Sequence, residues 1–424
     1  MTVLDATVPA AQAGLAAPAG GPVRFVGDAR FFWRLLVRGA VLLMFTLGIY
    51  RFWLTTDIRR FLWSDTELLG ETFEYTGTAR ELLLGFVMAI AILVPLYTAF
   101  FFIALSSGPI GEVSGLLSFL LLALLGQYAI YRARRYRLTR TVYRGVRFHQ
   151  TGSAWRYGVC GIFWWGMIIL TLGLAYPFAQ SQLERFKMRN TYYGDLPGRF
   201  EASGLPLFAR GLLMWFLAVV PSTAGLLATL DAVDWETLSA PGRSDDALSW
   251  LETSGLAHAV VYAGVTLIWL ALAVAVLYPI FQAMVLRWWV SGLRFGDVVV
   301  TSRLRTAQVY GVYARFLGYA LLFTLVCGVL LVAALYAVPA VIEKEDHSLL
   351  SEIVATAALV AVYVIAALGY STIHQATVRL GLWRCVVESV EIQGAAALDH
   401  VAAAGEPSSP IGEGLADALN VGGL

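Results

Sequence analysis

The sequence predicts an all-α polytopic membrane protein, with six spans arranged as three helical hairpins and two further re-entrant or interfacial helices. Two observations lead to this fold class: the overall composition, and the placement of the basic residues. Of the 424 residues, 58% are hydrophobic and 14% are charged, and the mean hydropathy is +0.70. A soluble domain carries about 25% charged residues. The chain therefore lacks the polar surface of an ordinary soluble enzyme or of a disordered protein.

Apolar segments long enough to be considered as spans recur along the whole chain. There are eight, at 35–53, 82–104, 115–131, 157–178, 206–230, 259–284, 314–341 and 349–373. Hydrophobicity alone therefore favours an eight-span protein, which is the alternative to the six-span interpretation.

The basic residues decide between these alternatives, because Arg and Lys accumulate in cytoplasmic loops. The stretch 132–156 contains eight Arg and no acid, whereas 231–252 contains six acids and one Arg. Segments 35–53 and 157–178 are flanked by Arg at both ends, and a full crossing by either would place the acidic loops in the cytoplasm. We therefore expect both to enter and return on the cytoplasmic side, with both termini cytoplasmic.

Three short matches at nearly one offset indicate an internal repeat. Thr-Leu-Gly at 46–48 recurs at 171–173, Phe-Glu-x-x-Gly at 73–77 recurs at 200–204, and Val-Arg-Phe at 23–25 recurs at 146–148. We predict membrane repeats at 23–145 and 146–292, and a shortened third repeat at 293–394. The flanks 1–22 and 395–424 are predicted to be disordered tails.

Short alternating segments in the linkers suggest strands. The six candidates are 23–27, 72–77, 145–150, 199–204, 292–298 and 387–394. Because isolated strands leave backbone groups unpaired, we expect them to form a small cytoplasmic β-sheet. Interfacial helix ends are the alternative.

Five sequence motifs carry a resemblance to a known family. They are FTLGIYRFW (45–53), ETFEYTGTARELLLGF (71–86), RYRLTRTVYRGVRF (135–148), TLGLAYPF (171–178) and NTYYGD (190–195). In this order they resemble the YjgN-like bacterial inner-membrane proteins, over about 23–394. The resemblance implies a polytopic inner-membrane protein and supplies no catalytic residues. The chain departs from the family pattern after FW, where Leu54-Thr55-Thr56 stand in place of a frequent basic residue.

The strongest charged feature is a run of Arg interleaved with Tyr131, Tyr136 and Tyr143. Guanidinium forks suit phosphate oxygens, so a lipid or phosphate contact is one interpretation, and a simple topology anchor is the other. The candidate contact residues are Arg132, Arg135, Arg140, Arg144 and Arg147.

Polar side chains near the span ends are candidates for lining a pathway. Gln127 and Gln282 occupy corresponding places in two hairpins, and His374 closes the last segment. Each residue also has a structural interpretation, as a bond to a neighbouring helix or to lipid head groups.

Catalytic and metal chemistry is not indicated. The five His and three Cys lack metal-ligand spacing, and no catalytic pair or cofactor motif occurs, so we expect no enzyme, metal or cofactor. The span centres lack ionisable residues, which disfavours coupled ion transport.

The sequence favours a facilitative transporter or channel for a lipid or another small amphiphilic solute. A membrane scaffold that organises partners or anionic lipid at the cytoplasmic leaflet is the alternative. We expect the bilayer and its anionic head groups to be the partners, and no nucleic acid. The sequence does not choose a substrate, an energy source or an oligomeric state.

Overall fold

A ten-stranded antiparallel sheet organises the chain. The computed structural model describes residues 23–105, 109–236, 255–342 and 349–421, and in it each strand pairs with the next strand in sequence. The strands are β1 (Arg24–Phe25), β2 (Thr66–Leu68), β3 (Glu71–Tyr75), β4 (Thr141–Tyr143), β5 (Val146–Gln150), β6 (Thr191–Tyr193), β7 (Leu196–Phe200), β8 (Leu293–Phe295), β9 (Val298–Ser302) and β10 (Val390–Gln393).

The sheet corrects both the number of strands and the all-α description. All six predicted segments overlap a strand, but β2, β4 and β6 were missed and 292–298 merges β8 with the start of β9. The three missed strands have only three residues each, too few to show an alternating pattern. Two-residue turns join them to their partners, and in the turn Arg144-Gly145 both residues have positive φ, as a type I′ hairpin requires.

Helices fill the remaining connections. They are α1 (Ala29–Phe45), α2 (Arg51–Ser64), α3 (Ala79–Ala104), α4 (Pro109–Thr139), α5 (Ala154–Leu170), α6 (Tyr176–Arg189), α7 (Gly204–Asp231), α8 (Leu256–Ser291), α9 (Thr306–Ile342), α10 (Leu349–His374), α11 (Leu380–Glu388) and α12 (Ile411–Ala418). A π-helical segment, Gln375–Arg379, joins α10 to α11.

Within the described residues, six helical stretches are long and apolar enough to cross a membrane, which confirms a mostly helical fold suited to a multi-pass protein. They are Ala79–Ala104, Val113–Thr139, Gly204–Asp231, Leu256–Ser291, Thr306–Val332 and Leu359–Glu388. The helices α1 and α5 have 17 residues each, or about 25 Å at 1.5 Å per residue, which is short of a hydrocarbon core of about 30 Å.

All connections that contain helices leave the sheet on the same side, at one of the two edges that are formed by the ends of the strands. Because successive strands are antiparallel, the four tight turns lie at one edge, and the five connections that contain helices lie at the other. Three of these connections hold the long helices, and the other two hold the pairs α1–α2 and α5–α6. Each pair therefore starts and ends at the same edge of the sheet.

The Thr-Leu-Gly turns of the two shorter pairs have the same backbone geometry. Leu47 and Leu172 both have φ of 49°, and the Gly that follows each one also has positive φ. The Thr46 hydroxyl donates to the carbonyl of Leu42 at 2.7 Å and accepts from the Tyr50 amide at 3.0 Å. Thr171 makes the same two bonds at the same distances. The repeat boundaries remain a prediction.

The main apolar core lies between one face of the sheet and the helices α1, α2 and α11. Two fully buried tyrosines tie the sheet together. The Tyr193 hydroxyl donates to the carbonyl of Tyr143 at 3.0 Å, and the Tyr143 hydroxyl donates to the carbonyl of Leu68 at 2.9 Å. Both buried hydroxyls are thereby satisfied, as burial requires.

The C-terminal segment is folded, which corrects the prediction of a disordered tail at 395–424 for its described part. A 3₁₀ helix, Ala395–His400, packs near the sheet, and α12 packs against α3 and α4. Two glycines permit this packing: a Cβ on Gly414 would lie 1.9 Å from the carbonyl carbon of Gly85. Composition indicated disorder, but close backbone contact stabilises the segment. The predicted tail at 1–22 lies outside the described residues.

Candidate functional site

One face of α2 carries the first half of a buried charged site. Arg51, Thr55 and Arg59 follow each other at intervals of four residues, so their side chains project from the same side of the helix. This face is turned toward α12, whose Glu413 and Asp417 have the same spacing.

Arg59 is the most deeply buried charge of the site, with 4% of its side chain exposed. Its guanidinium forms an ion pair with Glu413, whose side chain is 8% exposed, and donates to the Tyr75 hydroxyl at 3.0 Å. Its Nε and the Oε2 of Glu413 are buried without a hydrogen-bond partner. The pair is thus closely matched in charge but incompletely hydrogen-bonded.

Arg51 forms a second ion pair, with Asp417. Its guanidinium also lies over the rings of Phe52 and Phe86, at 4.9 Å and 4.5 Å from their centroids. The two acids of α12 therefore face two arginines of α2, one pair buried and the other half-exposed.

Two more guanidinium groups approach from other helices. The Nε of Arg137, on α4, lies 3.8 Å from the second carboxylate oxygen of Glu413. Arg379, on the π segment, donates to Gln375 at 3.4 Å and is repelled by Arg59 and Arg137. Among the described residues no acid forms an ion pair with Arg379.

These groups surround an enclosed cavity of about 150 Å³, which we call the ion chamber. Its lining consists of Arg51, Phe52, Thr55, Arg59, Leu82, Arg379, Glu413 and Asp417. With Arg137 beside it, the chamber has four guanidinium groups and two carboxylates, and both carboxylates belong to α12.

The environment shifts the pKa values of Arg59 and Asp417. Burial disfavours the charged form of Arg59, but Glu413 and Tyr75 outweigh this effect, so the pKa of Arg59 lies above its usual range. Burial raises the pKa of Asp417 above its usual value, although Arg51 opposes the change. Docking of α12 therefore removes part of the water around the Asp417 carboxylate, which costs free energy.

The Arg residues predicted to contact lipid have protein partners in several cases. Arg140 pairs with Glu81 at 2.8 Å, and Arg144 pairs with Asp399 at 2.6 Å and with Glu71 at 3.3 Å. These internal pairs neutralise both guanidinium groups, but the Nε atoms of Arg140 and Arg144 are buried without a hydrogen-bond partner. Lipid contact at the same residues remains a prediction.

The other three arginines of the Arg–Tyr run donate hydrogen bonds to backbone carbonyls or pack against a helix. Arg135 donates to the carbonyl of Gly152, and Arg147 donates to the carbonyl of Thr139 at 3.1 Å. Arg132 packs against Gly412 of α12. Three guanidinium groups of the run lie over the rings of the interleaved tyrosines. The distances to the ring centroids are 5.6 Å for Arg135 and Tyr131, 5.4 Å for Arg140 and Tyr136, and 5.4 Å for Arg144 and Tyr143.

The predicted pathway residues lie at three separate places among the described residues. Gln127 packs over Gly161 of α5, and Gln282 accepts a hydrogen bond from the Tyr313 hydroxyl. His374 is exposed, with its ring edge-on to Phe316 at 5.6 Å. None of the three lines the ion chamber or either of the two clefts described next.

Two apolar clefts open between a shorter helical pair and a long hairpin. One, of about 400 Å³, lies between the turn that joins α5 to α6 and the helices α7 and α8, with Trp215 and Phe281 in its wall. The other, of about 520 Å³, lies between α1 and the helices α9 and α10, with Trp33 and Phe323 in its wall. Aliphatic and aromatic side chains dominate both walls.

The ion chamber was not predicted from the sequence. The four-residue spacing of Arg51 and Arg59, and of Glu413 and Asp417, was the available signal. This spacing did not lead to a predicted site, because the two acids lie in a segment whose composition suggested disorder. In the described part of the chain, no group of three or more His, Cys, Asp or Glu is placed to hold a metal ion.

The fold is that of a helical protein with helices suited to spanning a membrane, in which one continuous sheet joins the hairpins and a C-terminal helix packs against α3 and α4. Residues 21–418 match the family described as bacterial protein of unknown function, DUF898, and the chain belongs to this family. The match confirms the YjgN-like resemblance, since that group and DUF898 are the same family. No curated protein and no solved structure matches the chain.

Proposed function

We propose that this protein is a non-enzymatic, facilitative transporter or channel for a lipid or another small amphiphilic solute. The observation that carries the proposal is the pair of apolar clefts, of about 400 and 520 Å³, along the long hairpins. Walls of aliphatic and aromatic side chains suit an acyl chain and not a hydrated ion. Pockets of roughly 300–1,000 Å³ are typical of small-molecule sites.

The charge distribution supports facilitated rather than ion-coupled movement. The ionisable residues of the long described helices lie toward their ends, such as Arg210 on α7 and Arg287 on α8. Coupled transporters usually place an ionisable group near the bilayer midplane.

We also propose the bacterial inner membrane as the location, with the sheet and both termini in the cytoplasm and six full crossings. The single edge from which the helical pairs leave supports this arrangement, because α1–α2 and α5–α6 return to the sheet from which they depart. A reporter fused at Pro197, in β7, is then active on the cytoplasmic side. Periplasmic activity there would contradict the six-span arrangement.

A flux assay in liposomes tests the transport proposal. Purified protein is reconstituted with a headgroup-labelled phospholipid, and dithionite quenching measures how fast the label crosses. We expect faster crossing than in protein-free vesicles. Gly211→Phe, which fills the cleft beside Met284, should reduce the rate at least severalfold.

The matched control is Gly166→Phe on α5, where an added Cβ meets nothing within 4 Å. It introduces the same side chain outside the cleft and should leave the rate unchanged. Crossing no faster than in protein-free vesicles would reject the transport proposal for phospholipid.

The membrane scaffold is a second candidate, favoured by the ten-stranded sheet. Such a sheet joins all the hairpins on one side and could present a surface to partners. The liposome assay separates the two candidates, because a scaffold leaves the crossing rate at its protein-free value.

A further inference from the structure

We propose that the ion chamber is a binding site for a phosphate group, in which Glu413 and Asp417 of α12 stand as an internal, displaceable substitute for that ligand. The chamber is lined by residues that belong to neither apolar cleft. The inference therefore stands independently of the proposed transport.

The charges of the chamber are unequal. Among the described residues, the lining of the chamber holds three guanidinium groups, those of Arg51, Arg59 and Arg379, and two carboxylates, and no acid forms an ion pair with Arg379. A phosphate, with a charge between −1 and −2 and several acceptor oxygens, matches such a group better than one carboxylate does.

The hydrogen bonding of the chamber is also incomplete. The Nε of Arg59 is buried without a partner, and the Oε2 of Glu413 makes no hydrogen bond. A carboxylate is planar and cannot meet donors that converge from α2, α4 and the π segment. A tetrahedral phosphate directs oxygens toward several sides, and guanidinium forks bind such oxygens in pairs. The cavity of about 150 Å³, together with the space that the two carboxylates of α12 vacate, accommodates a phosphate group.

The anions that occupy the chamber come from one short helix. The eight residues of α12 follow an irregular segment, 401–410, and a helix of this length is not stable by itself. Its departure without a replacement would remove the acidic partners of Arg51 and Arg59, which is strongly unfavourable for the buried Arg59 guanidinium. Exchange of α12 for another anion avoids that cost.

Binding of two soluble probes to the purified full-length protein tests the proposal. Isothermal titration calorimetry measures the affinities for inorganic phosphate and for dihexanoyl phosphatidic acid. Glu413→Gln with Asp417→Asn removes the internal anion and should raise the phosphate-group affinity at least tenfold. Adding Arg379→Gln should reverse that gain. Glu406→Gln, an exposed acid in the same segment, is the control and should change nothing.

A disulfide lock keeps the proposal testable if the double variant does not fold. The Thr139 and Ser408 hydroxyl oxygens lie 3.2 Å apart, so cysteines at both positions, with the native cysteines replaced by Ala, fix the segment that precedes α12. The oxidised protein should bind neither probe, and reduction should restore binding. All residues that line the chamber are unchanged in this variant.

The two probes distinguish the source of the ligand. Much tighter binding of the phosphatidic acid identifies a lipid head group, whereas equal affinities identify free phosphate, and either supports the site. Unchanged affinity in the folded double variant, or equal binding by the oxidised and reduced lock, would overturn the proposal.

Discussion

Arg59 and Glu413 form a buried ion pair although 354 positions separate them in the sequence. Arg59 lies near the beginning of the folded chain and Glu413 near its end. The pair joins α2 to α12, which also packs against α3 and α4.

Glu413→Gln should lower the free energy of unfolding by about 3 kcal/mol, because loss of one partner leaves a buried guanidinium uncompensated. Denaturant unfolding in detergent measures the change. The matched control is Glu388→Gln, in the half-exposed pair with Arg384, which should cost no more than about 1 kcal/mol. Equal losses of unfolding free energy in the two variants would show that the buried Arg59–Glu413 pair stabilises the protein no more than the half-exposed pair does.

Gly414→Ala should lower the Tm by several degrees, because the new Cβ would meet the backbone of Gly85 and force α12 away from α3. Gly264→Ala, on α8 with nothing within 4 Å, should leave the Tm unchanged or slightly higher, since Ala favours a helix. Thermal unfolding followed by size-exclusion chromatography provides the comparison. A Tm that is insensitive to Gly414→Ala would contradict the docking of α12.

Thr46→Val and Thr171→Val should destabilise the two turns by similar amounts, about 1–2 kcal/mol each, since each removes one donated and one accepted hydrogen bond. Faster hydrogen exchange in peptides that contain the Tyr50 and Ala175 amides would report the loss. Thr98→Val serves as the control, because the Thr98 hydroxyl bonds only to the carbonyl of Val94. Hydrogen exchange that becomes faster at one turn only would argue against equivalent hydrogen bonding in the two turns.

Docking of α12 should strengthen as the pH falls from 7 toward 4. Burial raises the pKa of Asp417 in the docked state, so the docked state binds the proton more tightly. The stabilisation is complete below the pKa of the free carboxyl and is lost as the pH rises through the raised value. The Tm of the wild type should therefore rise relative to that of Asp417→Asn across this range. A constant difference between the two Tm values would exclude this linkage.

The sequence predicted the membrane class and much of the local structure. Six of the eight apolar segments correspond to long helices, and the Thr-Leu-Gly motifs mark the turns of the two shorter pairs, because both signals depend on residues close together in the chain. The short strands β2, β4 and β6 escaped prediction, since three residues contain almost no pattern and the pairing comes from a neighbouring strand.

By itself, the sequence determined that the chain is an apolar, multi-hairpin protein with basic linkers, because hydrophobicity and charge are properties of composition and local order. Only the tertiary structure decided that the helical pairs leave one edge of a single sheet, and that the acidic C-terminal segment folds against α2, α3 and α4. The physical reason is that strand pairing joins segments separated by whole pairs of helices, and that the contacts of Arg59 with Glu413 and of Gly85 with Gly414 join residues hundreds of positions apart. No local pattern records such contacts.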